Sequence, residues 1–231
     1  MSKATDFKIP RVQKLSAEVQ AASALRQGIL DGEIPPGTKL TEIRMAEQLG
    51  VSRATIRTAF HQLAQEGLID QIPYTGWTVM SLSSHDAWEL YTLRSSLEAL
   101  AARLVANHIA EKNDPSATLD KLEMVFHTLT AACLDGDRKR IADADFALHR
   151  AIIDLAGHKR LAEQYAKVEQ QIRIYIASSD ALVEPASIVE QHRPILEALR
   201  AGDAERAVEA SVDHNEREGR KLVAHLAALE S

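Results

Sequence analysis

From Asp86 to the C-terminus the chain has no stretch in which polar and apolar residues alternate. Runs with helical periodicity are instead interrupted at five places: Asn113–Pro115, Asp135–Asp137, Gly157–Lys159, Ser178–Pro185 and Ala201–Asp203. Runs of this length between short breaks predict about six helices folded back on one another as an antiparallel bundle. The composition agrees, because Ala and Leu abound while aromatic residues make up only 4%.

The N-terminal third is organised differently. Residues 1–12 are polar, carry Pro10 and have no period, which predicts a flexible arm. Leu15, Val19, Ala22, Leu25 and Ile29 then recur at helical spacing from about Lys14 to Leu30, and Pro35, Pro36 and Gly37 break the pattern. Thr41 is placed to cap a short helix that stops at Gly50. Ser52 is placed to cap the next one, whose inner face is Ile56, Phe60 and Leu63 and which ends at Gly67. LIDQI and GWTVMSL read as two strands of a hairpin around PYT.

Helix, helix, turn, helix and hairpin in that order is a winged helix-turn-helix. The fold expected is thus mostly α: residues 13–80 as a winged helix-turn-helix of three helices plus a β-hairpin, 81–86 as a linker with Asp86 as a candidate cap, and 87–231 as an all-α bundle.

Charge is unevenly divided. Residues 1–80 hold nine Lys/Arg against eight Asp/Glu, while residues 81–231 hold eighteen against twenty-five. A nucleic-acid partner therefore has to be met by a local basic patch near the N-terminus. No run approaches the roughly 20 apolar residues of a membrane span, and no apolar run follows a basic start, so a cytoplasmic protein with no membrane partner is expected. The single cysteine, Cys133, lies in LTAACL and reads as a buried, inert thiol.

Two groups of residues carry candidate chemistry. In LGVSRATIRTAF, Arg53 and Arg57 share the outward side of the second helix, with Ser52 and Thr55 beside them. Arginines at the start of a recognition helix read guanine edges in the major groove, and hydroxyls bond phosphates or bases. Two arginines four apart are equally ordinary solvated helix surface.

In DADFALHR, Asp145 and His149 stand one above the other on a helix, as a surface ion pair, a buried hydrogen bond or half of a metal site. His192 lies ten residues before Gly202 and His214 twelve after it. Both therefore sit about 15 to 18 Å from the same turn and at similar depth. Three imidazoles and a carboxylate in a bundle core suit a divalent cation. His61, His85, His108, His127, His158 and His225 have no comparable spacing.

The segment from Leu25 to about Val79 resembles the DNA-binding domain of the GntR family of bacterial transcription regulators. The resemblance rests on PGT-L-E, LGVSR, Arg57, EGLI and a wing glycine. It implies DNA contacts by Arg53 and Arg57, support from Ser52 and Thr55, and a wing tip at Thr75–Gly76. The chain departs from the common form VSRTPVREAL by Ala54 and Thr55 in place of Thr-Pro and by Thr58 in place of Glu.

Residues 86–229 resemble the FCD ligand-binding domain of the FadR branch, through LYTLRSSLEALAARL, DADFALHRAIIDLAGH and EQHRPILEALRAGDAERA. That resemblance implies a divalent metal, zinc first with nickel or manganese as alternatives, on Asp145, His149, His192 and His214. His158 departs from the usual Gly-Asn pair and reads as a cap. Arg94 completes the pocket by pairing with an effector carboxylate, or else forms a surface ion pair with Glu98 four residues on.

The function implied is that of a transcription regulator and not an enzyme: a homodimeric repressor of a pseudo-palindromic operator, answering to a small organic acid or sugar acid. A regulator in which the metal itself is the signal is the alternative. Water activation at the metal lacks a partnered general base in the sequence and gives the DNA-reading domain no role.

Overall fold

The computed structural model describes residues 16–72, 76–80, 83–111 and 115–230; the expected 1–12 arm lies outside them. The elements run α1 (Ala17–Leu30), β1 (Lys39–Leu40), α2 (Glu42–Leu49), α3 (Arg53–Gln65), β2 (Ile69–Ile72), β3 (Gly76–Val79), α4 (Ser84–Glu111), α5 (Ser116–Asp135), α6 (Arg138–Leu155), α7 (Lys159–Asp180), α8 (Pro185–Arg200) and α9 (Ala204–Glu230). The chain is a winged helix-turn-helix followed by a helical C-terminal region.

The N-terminal elements form where local chemistry places their ends. The side chains of Ser16, Thr41 and Ser52 accept hydrogen bonds from the backbone N–H of Val19, Arg44 and Thr55, so each capping residue supplies an acceptor to a free helix end. Gly50 closes α2 at φ 65°, which only glycine adopts without strain. Ile56, Phe60 and Leu63 are fully buried beneath α3. Val19 is exposed despite its spacing, and Ala21 joins Ala22, Leu25 and Ile29 on the inner face of α1.

The sheet has three strands in the order β1-β3-β2, all antiparallel, rather than a bare hairpin. Lys39 and Leu40 pair with Thr78 and Trp77, while Ile69 and Ile72 pair with Val79 and Gly76.

The boundary at residue 84 also differs from expectation. Ser84, His85 and Asp86 belong to α4 rather than to a linker. The cap is Ser83, whose Oγ accepts from Asp86 N–H at 3.0 Å while its hydroxyl donates to the Asp86 carboxylate. Asp86, at the third helical position, thus binds the capping hydroxyl through both its backbone N–H and its carboxylate.

All five expected breaks separate helices. Asp137 caps α6 by accepting from Lys139 N–H and Arg140 N–H. His158 caps α7 through its Nδ1, 3.1 Å from Leu161 N–H. Cys133 is buried, and burial, with Asp180 and Asp145 nearby, pushes its thiol up to about 11. No helix among the described residues is long and apolar enough to cross a membrane.

The two regions touch along α7. Ile174 packs against both hydrophobic cores, and Gln171 Nε2 donates to the carbonyl of Gly67, 3.3 Å away. Lys139 at the start of α6 meets Asp31 at the end of α1, 2.7 Å apart.

The bundle is held around the longest pair, α4 and α9. A Cβ added at Gly219 would lie 2.8 Å from Tyr91 Cγ and 2.9 Å from Tyr91 Cβ, atoms too near the α4 backbone to swing aside. Gly219→Ala is therefore expected to lower stability although alanine is the better helix former. The net loss, about 1–2 kcal/mol, corresponds to about 2–8 °C in the midpoint of a thermal melt.

Candidate metal centre and nucleic-acid interface

On α3, Arg53 and Arg57 are exposed, with side chains 61% and 58% accessible, and both face Glu42 of α2. Arg57 engages Glu42 through Nε at 2.7 Å and Nη2 at 2.9 Å; Arg53 is 3.7 Å away. Ser52 is exposed at the start of the helix. Thr55 is not: it is buried, its hydroxyl 2.9 Å from Ser52 Oγ, so its side chain serves the cap and not the outward row. Gly76 begins β3 with φ 107°, a left-handed value. Thr75 lies outside the described residues.

The second candidate lies in the middle of the bundle, where α6, α8 and α9 bring Asp145, His149, His192 and His214 together. All four are at most 4% exposed. The expectation of matched depth holds, since the rings of His192 and His214 have centroids 4.2 Å apart. Ligand atoms of the three histidines lie within 4.8 Å of one another. Asp145 Oδ1 is 3.0 Å from both His149 Nε2 and His192 Nε2, and those two nitrogens are 3.0 Å apart.

Hydrogen-bonding partners fix what occupies that triangle. His192 Nδ1 lies 2.8 Å from the carbonyl of Ile188, which can only accept, so Nδ1 carries the proton. His149 Nδ1 lies 2.9 Å from Glu98 Oε2 and donates to that carboxylate. In the neutral ring each Nε2 is then a lone pair. Three electron-pair donors thus point into one spot, and Asp145 Oδ1 has no hydrogen bond there. Neighbouring ligands 2.1 Å from an ion in an octahedral shell are about 3.0 Å apart, the observed edge. The donor set therefore fits a divalent cation.

Glu98 is the hub behind this set. It receives hydrogen bonds from Arg94 Nε at 2.8 Å, Tyr165 Oη at 3.1 Å and Asn215 Nδ2 at 2.8 Å, besides His149. Burial would raise its carboxyl, but the Arg94 guanidinium and His149 hold it well below the usual carboxylate range. Asp145 is likewise held low, against burial, by His192 and His149. Burial pushes His214 down, as do His192 and His149. Burial opposes a charge on His149 too, yet Glu98 outweighs it and raises the ring, so the field that suits a cation attracts a proton there. A ligand histidine backed by a carboxylate has a fixed ring and tautomer.

Residues 17–79 match the model of the bacterial regulatory proteins of the gntR family, and residues 89–217 match that of the FCD domain. The chain belongs to the GntR family. This GntR-family chain is 31% identical over 206 residues to the "Probable D-xylose utilization operon transcriptional repressor" of Paenarthrobacter nicotinovorans, the match covering 88% of each. It is 27% identical to the HTH-type transcriptional repressor RspR of Escherichia coli, over 82% of each. Among solved structures, E. coli McbR/YncC superposes with a TM-score of 0.73 at 22% identity, covering 92% of this chain and 99% of that one. A GntR transcriptional regulator from Rhodococcus gives 0.74 at 24%, covering 90% and 97%. The family and these relatives are transcription regulators, so this GntR chain is a regulator and not an enzyme.

Within the FCD region the geometry brings together all four residues expected around a metal. Arg94 does pair with Glu98, but both are buried, so the surface ion pair is replaced by an internal one. The sequence reading missed Glu98 as a hub, together with Tyr165, Asp180, Asn215 and Glu218. A signal existed for one of them: Glu218 stands four residues after His214, on its side of α9.

Proposed function

We propose that this chain is a homodimeric repressor of a pseudo-palindromic operator in the cytoplasm, released by a small carboxylate. In this reading Arg53, Arg57 and Ser52 contact DNA, with Thr55 holding Ser52 in place and Thr75–Gly76 at the wing tip. Asp145, His149, His192 and His214 hold a divalent cation, zinc ahead of nickel or manganese, and Arg94 binds the effector carboxylate. The observation that carries the ligand half is the 3.0 Å triangle of three electron-pair donors buried in the bundle. Such a cation supplies Lewis acidity toward an anionic oxygen.

Arg94 supports the effector half. Its Nε is taken by Glu98, while its Nη2 is buried and makes no hydrogen bond. A guanidinium held on one side and free on the other is a ready carboxylate site. The names of two relatives as repressors favour repression. α7 gives the two halves a shared element: it ends at Asp180, which reaches Asp145, and carries Gln171 against Gly67 behind α3.

Titrating metal and carboxylates separately against the operator complex tests the assignment. Carboxylates are expected to weaken operator binding by the metal-loaded protein by about 5- to 150-fold, the usual range of allosteric coupling. Chelation alone should leave operator affinity unchanged. Loss of operator binding on chelation, with no effect of any carboxylate, would make the metal itself the signal and overturn the effector reading.

A further inference from the structure

The winged helix and the bundle do not meet flush. Between them, beside the first turns of α4, lies a cavity of about 340 Å³ whose wall comes from both regions: Gly67 and Asp70 on one side, Asp86, Glu89 and Tyr175 on the other. Small-molecule sites run from roughly 300 to 1,000 Å³, so the space is large enough for a compact ligand. Three carboxylates line it, and no lysine, arginine or histidine does. Leu90, Leu93 and Val168 make part of the wall apolar.

Tyr175 gives this wall a second kind of polar group. It is only 2% exposed, and its ring meets Tyr91 edge-on with centroids 6.4 Å apart. Its hydroxyl makes no hydrogen bond among the described residues. Burial, with the charge of Asp86 and the neighbouring Tyr91, raises its phenol, so the group stays neutral and keeps lone pairs to offer. The carboxylates are equally uncompensated. Asp70, exposed on β2, makes no ion pair among the described residues. Asp86 receives the neutral Ser83 hydroxyl, and the ring 3.4 Å from Glu89 is that of His85, which is not part of the wall.

Spacing decides between an inorganic and an organic cation. Among the described residues only His149, His192 and His214 bring metal-ligand atoms within 4.8 Å of one another. Asp70, Asp86 and Glu89 are therefore spread too widely to close together on one ion, which takes several oxygens at about 2.0–2.6 Å. Separated carboxylates with apolar wall between them match ammonium groups joined by hydrocarbon. We propose that this cavity binds a linear aliphatic diamine, its ends meeting Asp70 of the hairpin and Asp86 and Glu89 of α4, with Tyr175 Oη accepting from an ammonium. Bound there, the diamine ties the winged helix to the bundle. The site is independent of the metal and carboxylate readings above.

The test is calorimetric titration of the full chain with putrescine, 1,4-butanediol and magnesium chloride at one fixed ionic strength. Putrescine is expected to bind once per chain and at least about tenfold more tightly than the other two, since the diol has the carbons without the charge and magnesium the charge without the carbons. Asp70→Asn combined with Glu89→Gln, both at exposed positions, should weaken putrescine by about tenfold or more. Tyr175→Phe keeps the ring and removes a hydrogen bond to a charged group, which should cost about tenfold as well. The two variants alter different elements, so one that fails to fold leaves the other to decide. Amide exchange reads the tie: putrescine at ten times its Kd should slow exchange in β2 about tenfold. Magnesium or the diol binding as tightly as putrescine would overturn the site, as would wild-type affinity in both variants or uptake of several putrescines per chain. Saturable binding that leaves exchange in β2 unchanged would overturn the tie.

Discussion

Replacing both Arg53 and Arg57 by alanine is expected to abolish preference for the operator over random DNA. A bidentate arginine on guanine discriminates by about 1–3 kcal/mol, so Arg57→Ala alone should weaken operator binding by about 5- to 150-fold. Both side chains are more than half exposed and contribute nothing to the core, so the melting curve should not move. Their contacts with Glu42 do not prevent DNA binding, since exposed ion pairs are worth only about 0–1 kcal/mol and are screened by salt. Glu42 receives two hydrogen bonds from the Arg57 guanidinium at the exposed face of α3. Lysine in both positions separates charge from readout. It retains phosphate attraction and the salt dependence but lacks the planar fork that grips guanine. Fluorescence anisotropy at fixed salt, on DNA from the chain's own upstream region and on a random duplex, measures both effects. Operator affinity unchanged in the double alanine variant would remove α3 from the reading head.

Punctuation made most of this fold legible. Breaks at Asp135–Asp137, Gly157–Lys159 and Ala201–Asp203 are local: a left-handed glycine and a capping side chain end one helix and start another whatever lies around them. Ser52 and Gly50 were readable for the same reason. β1 was not, because two residues have no period, and Lys39 and Leu40 become a strand only when β3 arrives to pair with them. Val19 and Thr55 failed on facing. Their spacing is helical, but which side of the stripe is covered depends on the packing of the neighbouring elements.

The ligand centre divides along the same line. Asp145 and His149 share one helix turn, and His192 and His214 lie ten and twelve residues from Gly202, a spacing compatible with an ion pair, a hydrogen bond or a metal site; it is the FCD resemblance that implied the four as one set. Glu98, Tyr165 and Asp180 belong to α4 and α7, and only the packing of those helices onto α6 and α9 brings them in. Residues that hold a site in shape across helices leave no spacing in the sequence. Arg94 shows the limit of local reasoning most directly: the same i, i+4 pair with Glu98 is trivial on a surface and organises the centre when buried.

Chelating the divalent ion from the wild-type chain is expected to lower its melting midpoint by roughly 8–16 °C. A ligand at 1,000 times its dissociation constant stabilises by about 4.1 kcal/mol, and each kcal/mol moves the midpoint by about 2–4 °C at this chain length. The physical source is the triangle: without a cation, Asp145 Oδ1 and two imidazole lone pairs stand 3.0 Å apart in a buried site with nothing between them. His149→Ala and Asp145→Ala should each reduce bound metal from about one ion per chain to none, and their melts should no longer respond to chelator. The fold should survive the His149 substitution because Glu98 keeps Arg94, Tyr165 and Asn215 as donors. Metal content by elemental analysis, with circular dichroism for the fold, reads the two effects apart. Unchanged metal in both variants would return Asp145 and His149 to an ordinary buried acid–imidazole pair, and the effector would then have Arg94 alone to bind it.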